Sequence, residues 1–375
     1  MFESKILTTK DQKEWHNILD RFNVKDVNYL PEYLAIYEQE HKKAPFLSFG
    51  GQGLLYVFGD DRNSIIYPFF KRSISNLTFL GVNTRDLYDI VSPYGYGGPL
   101  GFTEDSAVVE ELWRNYFTKF HIYCQENNIV SEFCRLHPFF ENQKQVGNFS
   151  NGTIQMVGQI VYVDLSLSED DLLKQISKGH RRKIRKIAKE PNILFRTDIP
   201  DNGPQLFFDI YTENMLRISA NEKYLFSTDF FKAAFSSLDK NIHLWRICYK
   251  EDTCAAWIIL TGGNIAYAWL SGSKAEYMRL NPNNILIYRS ILRLKQLGFK
   301  YLIMGGGRST LKDSLYDFKA GFSPLNKDFY VYKYIHIPKE YQRLIESQNY
   351  KGLSNEEFFP KYRIMGENLE NNRKI

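Results

Sequence analysis

The chain has 375 residues, with 48 lysines and arginines against 43 aspartates and glutamates and a formal net charge of +5. That length exceeds the usual single domain, so two domains of roughly 150 to 200 residues are expected, and 28 Phe and 25 Tyr supply apolar surface for both. The small net charge excludes a protein that coats polyanions along its whole surface, so basic surface has to be local.

No apolar run approaches the ~18 residues of a membrane span. Met1-Phe2-Glu3-Ser4-Lys5 lacks the basic start and apolar core of a secretory leader, so a soluble cytoplasmic protein is expected. Cys124, Cys134, Cys248 and Cys254 are scattered through apolar patterns, and the histidines show neither HExxH nor paired spacing. Disulfide frameworks and metal catalysis are therefore not expected.

The first half opens with polar helical segments, including Pro31 to His41. Strand-like runs follow at Gly53 to Phe58 and Ser64 to Phe70, and Asp60-Asp61-Arg62-Asn63 between them predicts a hairpin. Leu77 to Leu80 predicts a further short strand. Ser92-Pro93-Tyr94-Gly95-Tyr96-Gly97-Gly98-Pro99 is a loop rich in tyrosine and glycine. Glu104 to Glu126 reads as a long amphipathic helix, and Val130 to Leu136 as a strand. Gln145 to Gly158, rich in Asn, Gly and Gln, is expected to cross to the second half, which opens on a strand at Val161 to Leu165.

Ser168-Glu169-Asp170-Asp171 then caps a helix that is predicted to run through KGHRRKIRKIAKE to near Pro191. Lys178, Arg181, Arg182, Arg185, Lys186 and Lys189 fall on one stripe of it, with Leu173, Ile176, His180, Ile184 and Ile187 opposite. A solvated face is the ordinary fate of a charged helix, but here Glu190 is the only acidic partner in the stripe. Unrelieved repulsion favours a phosphate-bearing partner: tRNA, a sugar-nucleotide diphosphate or CoA phosphates.

His243 to Tyr249, Ala255 to Thr261 and Ile265 to Leu270 form a predicted meander. Arg279-Leu280-Asn281-Pro282-Asn283-Asn284 is a turn that opens a helix over Ile285 to Leu297, stopped by Gly298. Tyr301 to Met304 is a strand running into Gly305-Gly306-Gly307-Arg308, and Phe318-Lys319-Ala320-Gly321-Phe322 follows. Glycines at a strand end admit a ligand to the backbone, and a helix N-terminus offers unpaired N–H groups to an anion. The parallel order of elements around 44 to 137 and 243 to 305 predicts two copies of one α/β unit. Tyr267 and Trp269 are assigned to the core. The tail beyond Pro338 predicts a peripheral helix and a frayed end over Asn368 to Ile375.

A meander, a break, a helix and another strand is the order of the GNAT acyltransferase fold, whose helix N-terminus cradles a CoA pyrophosphate through a QxxGxG/A-like loop. Here Pro282 and Asn284 stand where that loop carries glycine, which removes one N–H and blocks close approach. Together the KGHRRKIRKIAKE helix, the AYAWLSGSKAEYMRLNPNNILIYRSI segment, the strand into GGG and the YDFKAGF ending resemble the Fem-type (FemAB-like) peptidyltransferases over residues 160 to 335.

The resemblance implies an α/β (α+β) fold of two tandem GNAT-like domains, each a mixed, largely antiparallel sheet flanked by helices. They would span 1–150 and 151–337, with a polar tail over 338–375. It also implies transfer of an aminoacyl group from aminoacyl-tRNA to an amine of a sugar-nucleotide, peptide or lipid-linked cell-envelope precursor. No cofactor would be bound permanently, no metal is needed, and the acceptor would bring the enzyme near a membrane. Lys319 matches the family's lysine near the tRNA acceptor end, and Phe318 would shape the same channel. No heptad run matches the family's coiled-coil arm.

Aminolysis of an activated ester needs an aligned amine, donors for the oxyanion and a route for one proton. Lys319 supplies charge, Gly305, Gly306 and Gly307 supply N–H groups, and Arg308 holds a carboxylate or phosphate. Arg279, Asn284, Lys178, Arg181, Arg182 and Arg185 are expected on the donor or substrate, as are Tyr94 and Tyr96. Asp313 and Asp317 are the nearby candidates for a base. Two rival readings are an acyl-CoA-dependent N-acetyltransferase of surface-polysaccharide or secondary-metabolite biosynthesis, and a non-catalytic nucleic-acid-binding module. KGHRRKIRKIAKE carries no aromatic beside its cations except His180, which weighs against RNA base readout.

Overall fold

The computed structural model describes residues 2–43, 49–308, 312–347 and 358–364. Its strands are β1 (Glu3–Thr8), β2 (Gln52–Gly59), β3 (Asn63–Ser73), β4 (Tyr88–Val91), β5 (Leu100–Thr103), β6 (Ile129–Arg135), β7 (Thr153–Asp164), β8 (Ile193–Arg196), β9 (Ile242–Tyr249), β10 (Asp252–Gly262), β11 (Ile265–Ser273), β12 (Tyr301–Gly305) and β13 (Asn326–Ile335). Helices α1 (Gln12–Arg21), α2 (Pro31–Lys43), α3 (Val109–Glu126) and α4 (Gln143–Phe149) belong to the first half. Helices α5 (Glu169–Gln175), α6 (Lys178–Ile187), α7 (Gly203–Arg217), α8 (Thr228–Leu238), α9 (Pro282–Gln296), α10 (Ser314–Ala320) and α11 (Pro338–Glu346) follow.

All these strands join one sheet, in the order β1-β2-β3-β4-β6-β13-β7-β12-β11-β10-β9-β8, with β5 on β3. Each half has the same grammar: an antiparallel meander ends in one parallel pair, β4 with β6 and β11 with β12. The two halves thus repeat one α/β unit, as their parallel order predicts. They are also interlocked, because β13, late in the chain, lies antiparallel between β6 and β7. Turn chemistry fixes the local pairings. Asp60 Oδ1 accepts from the N–H groups of Arg62 and Asn63 at 2.9 and 2.8 Å and closes the β2–β3 hairpin. Lys250 and Gly263, both at positive φ, turn the β9–β10–β11 meander.

The parallel pairs differ in a way that decides where a ligand fits. In the first half β4 pairs with β6 over Tyr88–Val91, and the chain then returns at Gly97, whose N–H donates to the Arg135 carbonyl at 2.8 Å. That return closes the gap. In the second half β11 and β12 pair only from Ile265 to Tyr267, against Tyr301 to Ile303, and then separate. A strand pair that splays leaves backbone groups and space for a bound molecule.

Three expectations need correction. Thr78–Leu80 is a 3-10 turn rather than a strand, ended by Gly81 at φ 65°, and Leu77 and Leu80 pack with Ile74 and Leu87 in a satellite core. The basic helix is not continuous: Ile176 is extended (φ −65°, ψ 132°), and Ser177 starts a new helix by accepting from the His180 N–H. A serine that caps competes with helix continuation. The break lets Leu172 and Ile176 enter the same core as Ile184 and Ile187. Finally, the crossing at 145 to 158 contains α4 and the first half of β7 rather than loop alone. Asn368 to Ile375 lies outside the described residues.

One apolar core spans both halves, from Trp15, Tyr33 and Tyr37 to Phe207, Phe230 and Ile258. Helices α2 and α8 meet across it, where Ser227 Oγ donates to Glu40 Oε2 at 2.8 Å. The segment 358–364 returns to the first half and buries Tyr362 completely. Asp89, itself fully buried, there accepts from Arg72 Nε at 2.8 Å, Arg363 Nε at 2.5 Å and Tyr362 Oη at 3.1 Å. All four cysteines are buried and free. No helix among the described residues is long and apolar enough to cross a membrane.

Candidate active site

The splay between β11 and β12 opens into a cleft of about 410 Å³. Lys319, Arg308, Gly305, Gly306, Gly307, Tyr94 and Tyr96 all line it, so residues separated by more than 200 positions meet there. β12 delivers the glycines at its end, and α10 delivers Lys319 from its last turn. The tyrosines come from the 92–99 loop, pinned by Tyr29 Oη to the Gly98 carbonyl at 2.7 Å and by Tyr33 Oη to the Tyr94 carbonyl at 2.6 Å.

Lys319 Nζ donates to the Gly306 carbonyl at 2.7 Å. Burial lowers its pKa from 10.5 to about 8, and Asp313 only partly offsets this. Gly305 has φ 80°, and a Cβ there would sit 3.4 Å from Lys319 Nζ and 3.8 Å from Tyr96 Oη. Those two groups therefore flank the bare backbone of Gly305. Tyr96 Oη makes no hydrogen bond among the described residues, and neither do the N–H groups of Gly306 and Gly307. The glycine end of the cleft thus offers one cation, one phenol and backbone donors to a developing oxyanion. A Gly305→Ala substitution is expected to cost about 1–2 kcal/mol for the left-handed backbone and to put a methyl, in contact with Lys319 and Tyr96, over the backbone a ligand would approach. A thermal melt and a turnover assay on the same preparation should show a small loss of stability beside a turnover loss of at least about tenfold.

Arg308 reaches the cleft while its N–H donates to Asp313 Oδ2 at 2.8 Å. Asp313 caps α10 through Leu315 and Tyr316, at 3.0 and 2.9 Å. Desolvation pushes its carboxyl up, but the N–H groups of Tyr316, Arg308 and Leu315 outweigh it and hold the pKa below the usual value. A carboxylate so engaged is an N-cap rather than a free base, and Asp317 is exposed on α10. Neither lines the cleft.

Other expected site residues lie elsewhere. Phe318 is turned away from the cleft and packs edge-on against His180 and Phe322, at 5.1 and 5.4 Å between ring centres. Successive helix positions differ by about 100°, so placing Lys319 in the cleft turns Phe318 out of it. Asn284, in the first turn of α9, is buried and donates from Nδ2 to His180 Nδ1 at 2.9 Å. His180 Nε2 in turn bonds the Phe318 carbonyl at 2.9 Å, and a Cβ at Gly321 would lie only 2.3 Å from that nitrogen. Helix α6 thereby covers the anion-binding end of α9, whose Pro282 has no N–H to offer. Arg279 is exposed, away from the cleft.

Lys178, Arg181, Arg182, Arg185, Lys186 and Lys189 line a separate groove of about 560 Å³ on α6. No carboxylate among the described residues forms an ion pair with them. His180, on the same helix, contacts the segment that carries Lys319 through the Phe318 carbonyl and the Phe318 and Phe322 rings.

The cleft also holds residues with no sequence signal. Tyr267 and Trp269, assigned to the core from their strand pattern, form part of its wall, with Tyr33 and Asn28. Behind Tyr267 lie Asp26 and His137. Tyr267 Oη donates to Asp26 Oδ2, and His137 Nε2 lies 2.7 Å from Tyr267 Oη. Asp26 Oδ1 accepts from Asn28 N and Nδ2 at 2.9 and 2.8 Å. Burial pushes the Asp26 carboxyl up, but His137, Tyr267 and Asn28 more than compensate and hold it below the usual range. Positions 26, 137 and 267 come from three separate elements, so spacing could not have joined them.

Residues 174–319 match the family model described as an acetyltransferase (GNAT) domain. No curated protein matches the chain at a significant level. Among solved structures the chain is similar to FemX, at 11% identity and a TM-score of 0.63, over 91% of this chain and 99% of that one. It is also similar to L-PGS from Bacillus licheniformis, at 15% identity and 0.51, over 91% and 98%. A third likeness is to the C-terminal domain of a putative lysylphosphatidylglycerol synthetase from Agrobacterium fabrum, at 12% and 0.52, over 86% and 91%. At these identities the likeness is one of fold.

Proposed function

We propose that this protein is an N-acyltransferase of the tandem GNAT, Fem-like type, and that its donor is an aminoacyl-tRNA and its acceptor an amine of a sugar-nucleotide, peptide or lipid-linked precursor. The observation that carries acyl transfer is the convergence of Lys319 Nζ, Tyr96 Oη and the bare Gly305 backbone in the only strand splay of the sheet's two parallel pairs. An acyl carbonyl placed over Gly305 has a cation and a phenol close by. The amine attacks the carbonyl carbon, negative charge gathers on oxygen, and Lys319 with the Gly306 and Gly307 N–H groups stabilises it.

Two observations favour aminoacyl-tRNA over acyl-CoA. The helix end that would hold a CoA pyrophosphate is covered by α6 and filled by the Asn284–His180 pair. The α6 groove presents six cations without acidic partners among the described residues, which suits a polyphosphate backbone. The GNAT match supports the acyl-CoA alternative. Incubation with labelled aminoacyl-tRNA or labelled acetyl-CoA and a panel of primary amines separates them, because transfer from CoA alone overturns the donor assignment.

The α6 groove makes its own prediction. Replacing Arg182, Arg185 and Lys186 together by Gln should weaken tRNA binding and flatten the plot of log affinity against log salt by about two to three units. The melting temperature should hold, since all three side chains are exposed. Equal salt slopes for the wild type and the triple variant would remove tRNA from this groove.

A further inference from the structure

We propose that Tyr267, held between Asp26 and His137, is the group that takes the proton from the attacking amine; this rests on the acyl-transfer reading above. Tyr267 stands at the last paired position of β11, where the strand leaves β12 and the cleft begins. The hydrogen bonds around it fix its protonation pattern. His137 Nδ1 accepts from the N–H groups of Phe139 and Phe140 at 3.1 and 3.3 Å, so the ring's proton is on Nε2. Nε2–H therefore donates to Tyr267 Oη, and the Tyr267 hydroxyl donates its own proton to Asp26. With its only proton committed, the phenol oxygen is an acceptor, and its remaining lone pair suits an N–H.

Asp26 gives this acceptor its strength. The carboxylate is buried at 3% exposure, and among the described residues no lysine or arginine pairs with it. Burying an anion costs stability unless its neighbours offset it, and His137, Tyr267 and Asn28 are all engaged in doing so. Gly262 makes the placement fit, because a Cβ there would meet Lys25 O at 2.4 Å and Val27 N at 2.5 Å, the turn that carries Asp26. A tie between the halves could be made by apolar packing at less cost, so a chemical role for the anion accounts for what a tie does not.

The step balances. The amine nitrogen bonds to the acyl carbon and the carbonyl π pair moves to oxygen, leaving a cationic nitrogen far more acidic than a free ammonium. Its proton passes to Tyr267 Oη as the Tyr267 proton passes to Asp26, a weak base that so acidic a nitrogen can protonate in passing. The oxyanion then collapses and the ester C–O bond breaks. The proton returns from Asp26 through Tyr267 to the departing oxygen, and the carboxylate is regenerated.

The test is Tyr267→Phe, which keeps the ring and removes only the hydroxyl. With labelled aminoacyl-tRNA, labelled acetyl-CoA and primary amines of graded basicity, kcat should fall about 100-fold or more while KM for the amine changes less than about threefold. Asp26→Asn should fall by a similar factor, and the double variant no further than the worse single one. Should Asp26→Asn not fold, Tyr267→Phe decides alone. Wild-type turnover with Tyr267→Phe within about threefold of it overturns the relay and leaves acyl transfer standing, as does a loss confined to KM. A wild type that transfers nothing from either donor overturns the acyl-transfer reading and the relay with it.

Discussion

Lys319→Met is expected to lower turnover by about 10²- to 10³-fold, the usual effect of removing one oxyanion donor, while leaving a folded protein at least as stable as the wild type. Both halves of that expectation come from the same burial. In the folded chain the ammonium titrates at about 8 instead of 10.5, so folding penalises its charged form. At neutral pH the charge costs up to roughly 3 kcal/mol, less what its bond to the Gly306 carbonyl restores. Between pH 8 and 10.5 the unfolded chain binds this proton and the folded one does not, so wild-type stability gains from this group as pH rises through that window. The Met variant loses that gain. Turnover moves the other way: a lysine that acts as a cation gives a descending limb near pH 8, whereas one that acts as a base would give an ascending limb. Melting curves and rate profiles of the two proteins across pH 6.5 to 9.5 (roughly the window set by that pKa) separate these outcomes.

Asp89→Ala is expected to unfold the protein or to cost about 3–5 kcal/mol, against a total stability of about 5–15 kcal/mol. Among the described residues Asp89 is the one carboxylate paired with the guanidiniums of Arg72 and Arg363, each only 16% exposed, and it also accepts from Tyr362. Its removal leaves both cations in the core of the first half. Burial pushes its carboxyl up, but Arg363 and Arg72 hold it below 3.8, so the stability it contributes is present above that value and lost as pH falls through the lower folded pKa. Denaturant titration should show the loss, and a chain ending before residue 358 should also lose stability, because it removes Arg363 and Tyr362, two of the three partners of Asp89. A midpoint unchanged by Asp89→Ala would mean that the returning segment does not fasten the first half.

Much of this was legible in the sequence, and the limits have physical causes. The β9–β10–β11 meander, α9 and β12 were readable because each is a periodic run ended by Gly, Asn or Asp, which local chemistry fixes. The pairing of β13 with β6 was not readable, since a strand's partner nearly 200 residues away leaves no local trace. The FKAGF segment singled out Lys319, which lines the cleft, together with Phe318, which does not. Without α10 recognised as a helix, two adjacent side chains looked as if they shared one channel. Tyr267 shows the converse. Its strand pattern reads as core, and only the tertiary fold brings Asp26 and His137 to its hydroxyl. The break at Ser177 was missed, because the cationic periodicity beyond it reads as one continuous helix while a single capping serine ends it.

The central claim is that Lys319 works in an acyl-donor cleft, and single-turnover transfer of label from aminoacyl-tRNA to a primary amine tests it most directly. The account predicts transfer by the wild type and almost none by Lys319→Met at equal tRNA affinity. Full transfer by Lys319→Met, or none by the wild type from aminoacyl-tRNA or acetyl-CoA, would contradict it.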